Sequence, residues 1–175
     1  MALKTNVFAW RAARLIVPAL AAMVLGWGCA KVPVDAGLAQ SVKPVRGLTA
    51  DPGAAAARLA RSMAGAPYLY GGESPDEGFD CSGLAWWAYA SVGVDIPRVS
   101  WRQMHAGRRV ERFALRPGDL LFFRTRSGKE LHVGVYLGRS AFAHSPKSGS
   151  TVRVDRLDNQ YWRRTFIEAR RVANP

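Results

Sequence analysis

The sequence has few cysteines, few histidines and few acidic residues, and it contains no internal repeat and no low-complexity segment. Its two cysteines are Cys29 and Cys81, and its three histidines are His105, His132 and His144. None of them forms the short ligand pairs of a structural zinc site. Chemistry that depends on a thiol or an imidazole therefore has few candidate residues in this chain.

The shortage of acidic residues makes the chain strongly basic, with 13 Asp and Glu against 25 Lys and Arg and a formal charge of +12. Such a charge would suit nucleic acid, an anionic membrane or an acidic polymer as partner. The sequence contains no recognition-helix pattern, zinc knuckle or aromatic–basic motif, so nucleic acid is not expected. Most of the basic residues are interpreted as a solvated face.

The amino terminus has the organisation of an export signal. A basic segment through Arg14 precedes the apolar residues 15–27, which are too few to span a bilayer comfortably. Gly28 and Cys29 resemble the lipobox of bacterial lipoproteins, in which the cysteine is lipidated. Gly26 stands where a lipobox usually has Leu, so ordinary cleavage or a retained anchor stays an alternative. We expect residues 1–29 to be a lipoprotein-type signal peptide, and the protein to reach the periplasm, anchored to a membrane through Cys29.

A pair of cysteines in an oxidising compartment would by default form one disulfide. Cys29 belongs to the signal segment, so processing either removes it or adds a lipid to it. Cys81 is then left as a lone thiol, which makes it a candidate reactive group.

The length of 175 residues allows one domain with a core and is too short for two ordinary domains. Residues 30–52 contain prolines and glycines and show little periodicity, which predicts a flexible tether. Residues 53–175 are predicted to form the domain, and we expect it to be a monomer.

Helix signals dominate the first half of this domain. Asp51 as N-cap, Pro52 at N1 and the alanine-rich run 54–64 predict a helix that stops at Gly65. Residues 81–90 are apolar on nearly every side, which predicts a second, buried helix.

A third short helix is predicted over residues 100–105, because Ser100 and Gln103 have the spacing of a capping box. Short apolar or alternating runs follow and predict strands at 120–123, 132–137, 141–144, 152–154 and 166–169. Helices first and strands afterwards predict an α+β domain, with the helices packed on one antiparallel sheet of about five strands.

Cys81 lies at the predicted start of the buried helix, which is a favourable position for a nucleophile. Unpaired backbone N–H groups and the helix dipole stabilise a thiolate there, and a free cysteine otherwise titrates at about 8.5. The same N–H groups are able to stabilise the oxyanion of a tetrahedral intermediate.

His132 heads an apolar strand, and His144 ends the next strand, 12 residues later. A hairpin through residues 138–140 would bring the two histidines side by side on one face of the sheet. A catalytic arrangement would have His132 take the thiol proton and His144 orient its ring. Spacing alone leaves open that each histidine merely satisfies a hydrogen bond in a half-buried sheet.

Six short segments occur in one order along the predicted domain. They are 67–72 (PYLYGG), 79–84 (FDCSGL), 97–103 (PRVSWRQ), 116–123 (RPGDLLFF), 132–138 (HVGVYLG) and 142–145 (FAHS). Together they resemble the NlpC/P60 family of cell-wall cysteine peptidases, over about residues 55 to 170. The resemblance implies a papain-like fold for the domain.

The resemblance also implies roles for individual residues. Cys81 is implied as nucleophile, His132 as base and His144 as the third, orienting residue. Tyr68 would border the nucleophile and assist the oxyanion site, although plain packing is an alternative.

Six further residues of the predicted domain are assigned roles outside the proposed catalytic triad. Asp80 and Ser82 would contact substrate, as in some family members, although Asp80 is equally suited to capping the helix. Arg98, Ser100 and Gln103 are interpreted as structural residues. His105 matches no motif and is interpreted as a surface residue.

The resemblance implies hydrolysis of an amide in peptidoglycan stem peptides or cross-links through a thioester acyl-enzyme, without metal or cofactor. One alternative is a non-catalytic lipoprotein that binds peptidoglycan or acts as a scaffold. A second is an amidase or acyltransferase that uses the same Cys–His–His site on another substrate. A third is a zinc hydrolase with Cys81, His132 and His144 as ligands.

Overall fold

A computed structural model describes residues 51–125 and 130–173, and helices come before most of the strands, as an α+β domain requires. The predicted signal peptide, the lipidation site Cys29 and residues 30–50 of the predicted tether lie outside these residues. None of the helices in the described part of the chain is long and apolar enough to cross a membrane.

Helices and strands have the following bounds. The helices are α1 Pro52–Ser62, α2 Cys81–Ala90, α3 Ser100–Gln103 and α4 Gln160–Thr165, with a 3-10 turn at Arg112–Ala114. The strands are β1 Glu73–Ser74, β2 Gly78–Phe79, β3 Arg108–Val110, β4 Leu120–Arg124, β5 Leu131–Gly138, β6 Ala141–His144, β7 Arg153–Arg156 and β8 Phe166–Arg171.

The first helix begins as the sequence predicts and ends early. The Asp51 side chain accepts a hydrogen bond from the Ala54 N–H at 3.0 Å, which confirms the N-cap. The helix ends at Ser62 and not at Ala64, because the chain turns away to pair with a distant segment. The Gly65 N–H donates to the Val152 carbonyl at 2.8 Å.

The capping box predicted for α3 is wrong. Val99 is the N-cap and makes no side-chain capping bond, and the helix ends at Gln103. The fully buried Gln103 amide donates instead to the carbonyls of Ser82, at 3.0 Å, and Pro97, at 2.8 Å. A buried amide requires acceptors, and these two carbonyls hold α3 against the start of α2.

The main sheet is antiparallel and has six strands in the order β3-β8-β4-β5-β6-β7, one more than the sequence predicts. The additional strand is β3, whose first two residues are exposed arginines, so its apolar signal is weak. The strand predicted at 152–154 begins one residue later, because Val152 pairs with Ala66. Helix α4 and the small β1–β2 hairpin were also not predicted.

Both faces of the sheet are covered, which explains why β4 is apolar at four consecutive positions. Alternation along the strand sends Leu120 and Phe122 into the core beneath α1 and α2. Leu121 and Phe123 point to the opposite face and pack near Trp162 of α4. The two faces therefore position different parts of the site, with α2 on one and α4 on the other.

Candidate active site

Cys81 is the first residue of α2, as predicted, and it is half-buried. Asp80 caps the helix by accepting a hydrogen bond from the Gly83 N–H at 2.6 Å. The Cys81 sulphur interacts with the backbone N–H of Val133, which follows His132 in β5. The start of the helix therefore lies against the strand that carries the predicted base.

Burial raises the pKa of the Cys81 thiol to about 11, although the hydrogen bond from the Val133 backbone opposes this shift. The negative charge of Asp80 also contributes to this raised pKa. Burial therefore outweighs the stabilisation of the thiolate that we expected from the helix start. The thiol is protonated at neutral pH, so a nucleophilic role requires a base.

The structure brings the two predicted histidines together. His132 Nε2 lies 2.9 Å from His144 Nδ1, and the two rings are nearly perpendicular, at 84°, with centroids 5.1 Å apart. Only 7% of His132 and none of His144 is exposed. The predicted juxtaposition on one face of the sheet is therefore present.

Strands β5 and β6 do not pair symmetrically about the turn that joins them. A bulge before Gly138 shifts the pairing, so that Val135 faces Ala143. The same register places Gly134 opposite His144, which makes His132 its diagonal neighbour. A side chain at Gly134 would come within 2.6 Å of the Phe142 ring, so a glycine is needed at this crowded position.

Asp155 and Trp162 complete the surroundings of the histidines, and the sequence did not reveal either of them. Asp155 Oδ2 lies 3.1 Å from His144 Nε2 and accepts a hydrogen bond from the Trp162 indole N–H at 3.0 Å. The Trp162 ring stacks on His132 with centroids 5.8 Å apart. No local pattern marks Asp155, because its partner depends on how β7 pairs with β6.

The histidines are neutral at neutral pH. The pKa of His132 is lowered to about 3, chiefly by burial and in smaller part by the nearby His144 and Arg153. Burial also lowers the pKa of His144, although the hydrogen bond with Asp155 opposes this shift. That same hydrogen bond is the main cause that lowers the pKa of Asp155 to about 2, so this carboxyl is ionised.

Tyr68 lies in the segment that leads to α2. Burial is the main cause that raises the pKa of its phenol, and the negative charge of Asp80 contributes to the shift. The backbone of Tyr68 bridges to Phe79 and thereby holds this segment next to the start of α2.

Asp80 and Ser82 are occupied by internal hydrogen bonds. The Ser82 hydroxyl donates to Asp80 Oδ1 at 3.0 Å, and Arg98 donates to both carboxylate oxygens of Asp80 at 3.0 and 2.9 Å. Burial would raise the pKa of Asp80, but hydrogen bonds from Arg98 and Gly83 outweigh it and lower the pKa. These contacts fit the capping role of Asp80, while contact of either residue with substrate stays a prediction.

Arg98 connects the loop before α2 to the start of the helix. Its guanidinium donates to Glu73 at 2.6 Å and to the Gly72 carbonyl at 3.0 Å, in addition to Asp80. A side chain at Gly83 would overlap the Gly72 carbonyl oxygen, so glycine permits this close approach. The structural interpretation of Arg98 agrees with these contacts.

Two further predicted residues, Ser100 and His105, are not part of the Cys81, His132 and His144 group. Ser100 contacts the Leu131 carbonyl at 3.5 Å, next to His132 in β5. His105 is exposed, and its ring contacts the Trp101 carbonyl one helical turn earlier.

A pocket of about 1080 Å³ opens beside His132, with Trp162, Lys147 and Glu130 among its lining residues.

Comparisons with known proteins agree with the architecture of the domain. The family model described as the NlpC/P60 family matches residues 65–171. The murein DD-endopeptidase MepH of Escherichia coli K12 is 44% identical over 115 residues, which are 63% of this chain and 42% of MepH. The probable endopeptidase NlpC of the same organism is 35% identical over 142 residues, which are 80% of this chain and 86% of NlpC.

A solved structure of similar fold is that of an NlpC/P60 family protein from Bacillus cereus. It has a TM-score of 0.63 and 34% sequence identity, and the match covers 69% of this chain and 40% of that one. The chain spans about two fifths of the length of MepH, so the activity of that whole protein is not transferred with the match. The extent of the family match, together with these similarities, shows that this chain belongs to the NlpC/P60 family.

Proposed function

We propose that this protein is a cysteine peptidase that hydrolyses an amide bond in peptidoglycan stem peptides or their cross-links. The observation that carries the proposal is the placement of Cys81 at the start of a buried helix, against β5, whose His132 is hydrogen-bonded to His144 of β6. The names of MepH and NlpC, both endopeptidases, support an amide substrate, and the name of MepH supports murein.

His132 takes the Cys81 proton as the sulphur attacks the amide carbon, because the thiol does not ionise by itself at neutral pH. The new C–S bond forms and the carbonyl becomes a tetrahedral oxyanion. Backbone N–H groups at the start of α2 and the hydroxyl of Tyr68 stabilise this oxyanion. Protonated His132 then gives its proton to the leaving amine, the C–N bond breaks, and a thioester forms.

Water resolves the thioester in the second half of the reaction. His132 removes a proton from the water, which attacks the thioester carbon, and the C–S bond breaks. The sulphur recovers its proton and the carboxylic acid product leaves. His144 holds the His132 ring in one orientation during both halves, through the 2.9 Å contact between their nitrogens.

A zinc mechanism is disfavoured by the engagement of the ring nitrogens. Both nitrogens of His144 are occupied, one by His132 and the other by Asp155. Within residues 51–125 and 130–173, no group of three or more His, Cys, Asp or Glu side chains is arranged to hold a metal. We expect a thiol alkylator to abolish activity and a chelator to leave it intact.

The decisive experiment follows muropeptides by mass spectrometry after incubation with the full-length protein. We expect Cys81→Ser and His132→Ala to lower turnover by about 1000-fold or more, because each removes a reacting group. His105→Ala is the matched control and should retain activity, since His105 is exposed and contacts only its own helical turn.

The new termini of the muropeptide products identify the scissile bond. Three outcomes of this experiment distinguish the rival functions. Retained turnover in Cys81→Ser would contradict the proposed nucleophile. Binding of muropeptides without turnover by the wild-type protein would favour a scaffold. Products that carry a new acyl acceptor in place of water would favour acyl transfer.

We also propose that residues 1–29 direct export, that Cys29 carries a lipid and that residues 30–50 tether a monomeric domain in the periplasm, since Asp51 and Pro52 already belong to the start of α1. The basic and apolar segments of the amino terminus support this arrangement. A fatty acid with an alkyne tag should label the wild-type protein in growing cells but not Cys29→Ser. Equal labelling of the two proteins would contradict lipidation at this residue.

A further inference from the structure

A chain of hydrogen bonds leads from the buried His132 through the buried His144 and ends at the partly exposed Asp155. Oxygen Oδ2 of Asp155 receives all of its close donors, which belong to three residues. His144 Nε2 lies at 3.1 Å, the Trp162 indole nitrogen at 3.0 Å and an Arg153 guanidinium nitrogen at 3.1 Å. These donors come from β6, α4 and β7, so the carboxylate is held by three separate elements.

The position of each proton follows from the chemistry of the partners. An ionised carboxylate only accepts hydrogen bonds, so His144 Nε2 must carry a proton. His144 is neutral, so its Nδ1 has no proton and accepts. His132 Nε2 must then be the donor across the 2.9 Å contact. His132 is also neutral, so its Nδ1 has no proton.

We propose that Asp155 is a positioning residue of this site, which sets the tautomers of His144 and His132 so that His132 presents an unprotonated Nδ1 to Cys81. This inference rests on the proposed function, because it assigns Asp155 a part in the same proton transfer. Asp155 does not itself take up a proton. It determines which nitrogen of each ring is free.

The surroundings of Asp155 favour this role over that of a simple surface ion pair. Among the described residues, its one Lys or Arg contact is Arg153, whose side chain is 53% exposed, and a pair of that kind contributes little to stability. The Trp162 indole both donates to Asp155 and stacks on His132, so one side chain of α4 holds both ends of the chain. A merely stabilising carboxylate would not need this arrangement.

The carboxylate also acts when His132 becomes positively charged. The proton taken from Cys81 resides on His132 Nδ1, and Nε2 continues to donate to His144. The negative charge of Asp155 stabilises this cation through the intervening ring, and no second proton has to move. The same donor directions therefore serve both the resting state and the charged intermediate.

Two substitutions of Asp155 distinguish the effect of its hydrogen-bond acceptor from the effect of its negative charge. Asp155→Asn keeps an oxygen able to accept from His144, Arg153 and Trp162, and removes only the charge. Asp155→Ala removes the acceptor as well. We expect kcat on muropeptides to fall about 10-fold in the first and about 100-fold in the second, with KM little changed. Asp95→Asn is the matched control, because Asp95 is exposed and does not line the pocket beside His132.

The readout specific to the proposal is the tautomer of His132, measured by ¹⁵N NMR of the imidazoles in the full-length protein. We expect a protonated Nε2 and bare Nδ1 in the wild type and in Asp155→Asn, and a mixture in Asp155→Ala. In Asp155→Ala, either an unchanged kcat or a loss of kcat with an unchanged tautomer would overturn the proposal.

Trp162→Phe provides a second test if Asp155→Ala fails to fold. It retains an aromatic ring beside His132 and removes only the donor to Asp155, so kcat should fall several-fold while the fold persists. Unchanged kcat in this variant would overturn the proposal as well. The NMR result needs no substrate, so inactivity of the wild-type protein on muropeptides would contradict the proposed function and leave the tautomer assignment to be judged separately.

Discussion

The buried histidine pair should make the stability of the domain fall as the pH is lowered from neutral. His132 is neutral in the folded protein, with a pKa of about 3, and becomes protonated near its ordinary pKa when the chain unfolds. The unfolded state then binds more protons than the folded state, so acid favours unfolding. This contribution to stability is complete above the ordinary pKa and is lost as the pH falls toward the folded value.

The size of the effect follows from the two pKa values of His132. With an unfolded pKa of about 6.5, the free energy of unfolding should fall by about 2 kcal/mol between pH 7 and pH 5. Burial lowers the pKa of His144 as well, so this residue adds to the loss with the same sign. Small domains have a free energy of unfolding of about 5–15 kcal/mol, so the change is readily measured.

Urea denaturation followed by tryptophan fluorescence at several pH values between 7 and 5 measures this dependence. His132→Gln removes one titrating group and should therefore reduce the slope of the free energy of unfolding against pH. A free energy of unfolding that stays constant over this range in the wild-type protein would refute the argument that both histidines are buried and neutral.

Two further predictions concern the framework around the site. Gly83→Ala should destabilise the protein by about 2 kcal/mol or more, because the new methyl group overlaps the Gly72 carbonyl, and a fall in melting temperature measures the loss. Asp119→Asn should cost about 3–5 kcal/mol, because it leaves the buried Arg171 guanidinium without the carboxylate that now lies at 2.7 Å. Urea denaturation checks this value against the exposed control Asp158→Asn, and equal stability of the two variants would contradict it.

The secondary structure around the nucleophile was predictable because its signals are local. Asp51 and Pro52 identify the start of α1 through cap chemistry, and the apolar run from Cys81 identifies α2 through composition. The same approach failed at Ser100 and Gln103, whose capping-box spacing is correct but whose side chains do not form the box. The buried amide of Gln103 instead donates hydrogen bonds to the carbonyls of Ser82 and Pro97.

The environment of the site depended on pairings that local patterns do not encode. The sequence placed His132 and His144 on adjacent strands, but a bulge before Gly138 decided that they meet diagonally. Asp155 reaches His144 only because β7 pairs with β6 in one register.

By itself, the sequence determined that one thiol stands at a helix start and that very few imidazoles are available to serve it. Those features depend on residue identity and on spacing within single elements. Only the tertiary structure decided that the pKa of Cys81 is raised, that the histidines are neutral and that Asp155 and Trp162 join them. Burial and the register between strands set these properties, because both are fixed by the packing of the whole domain.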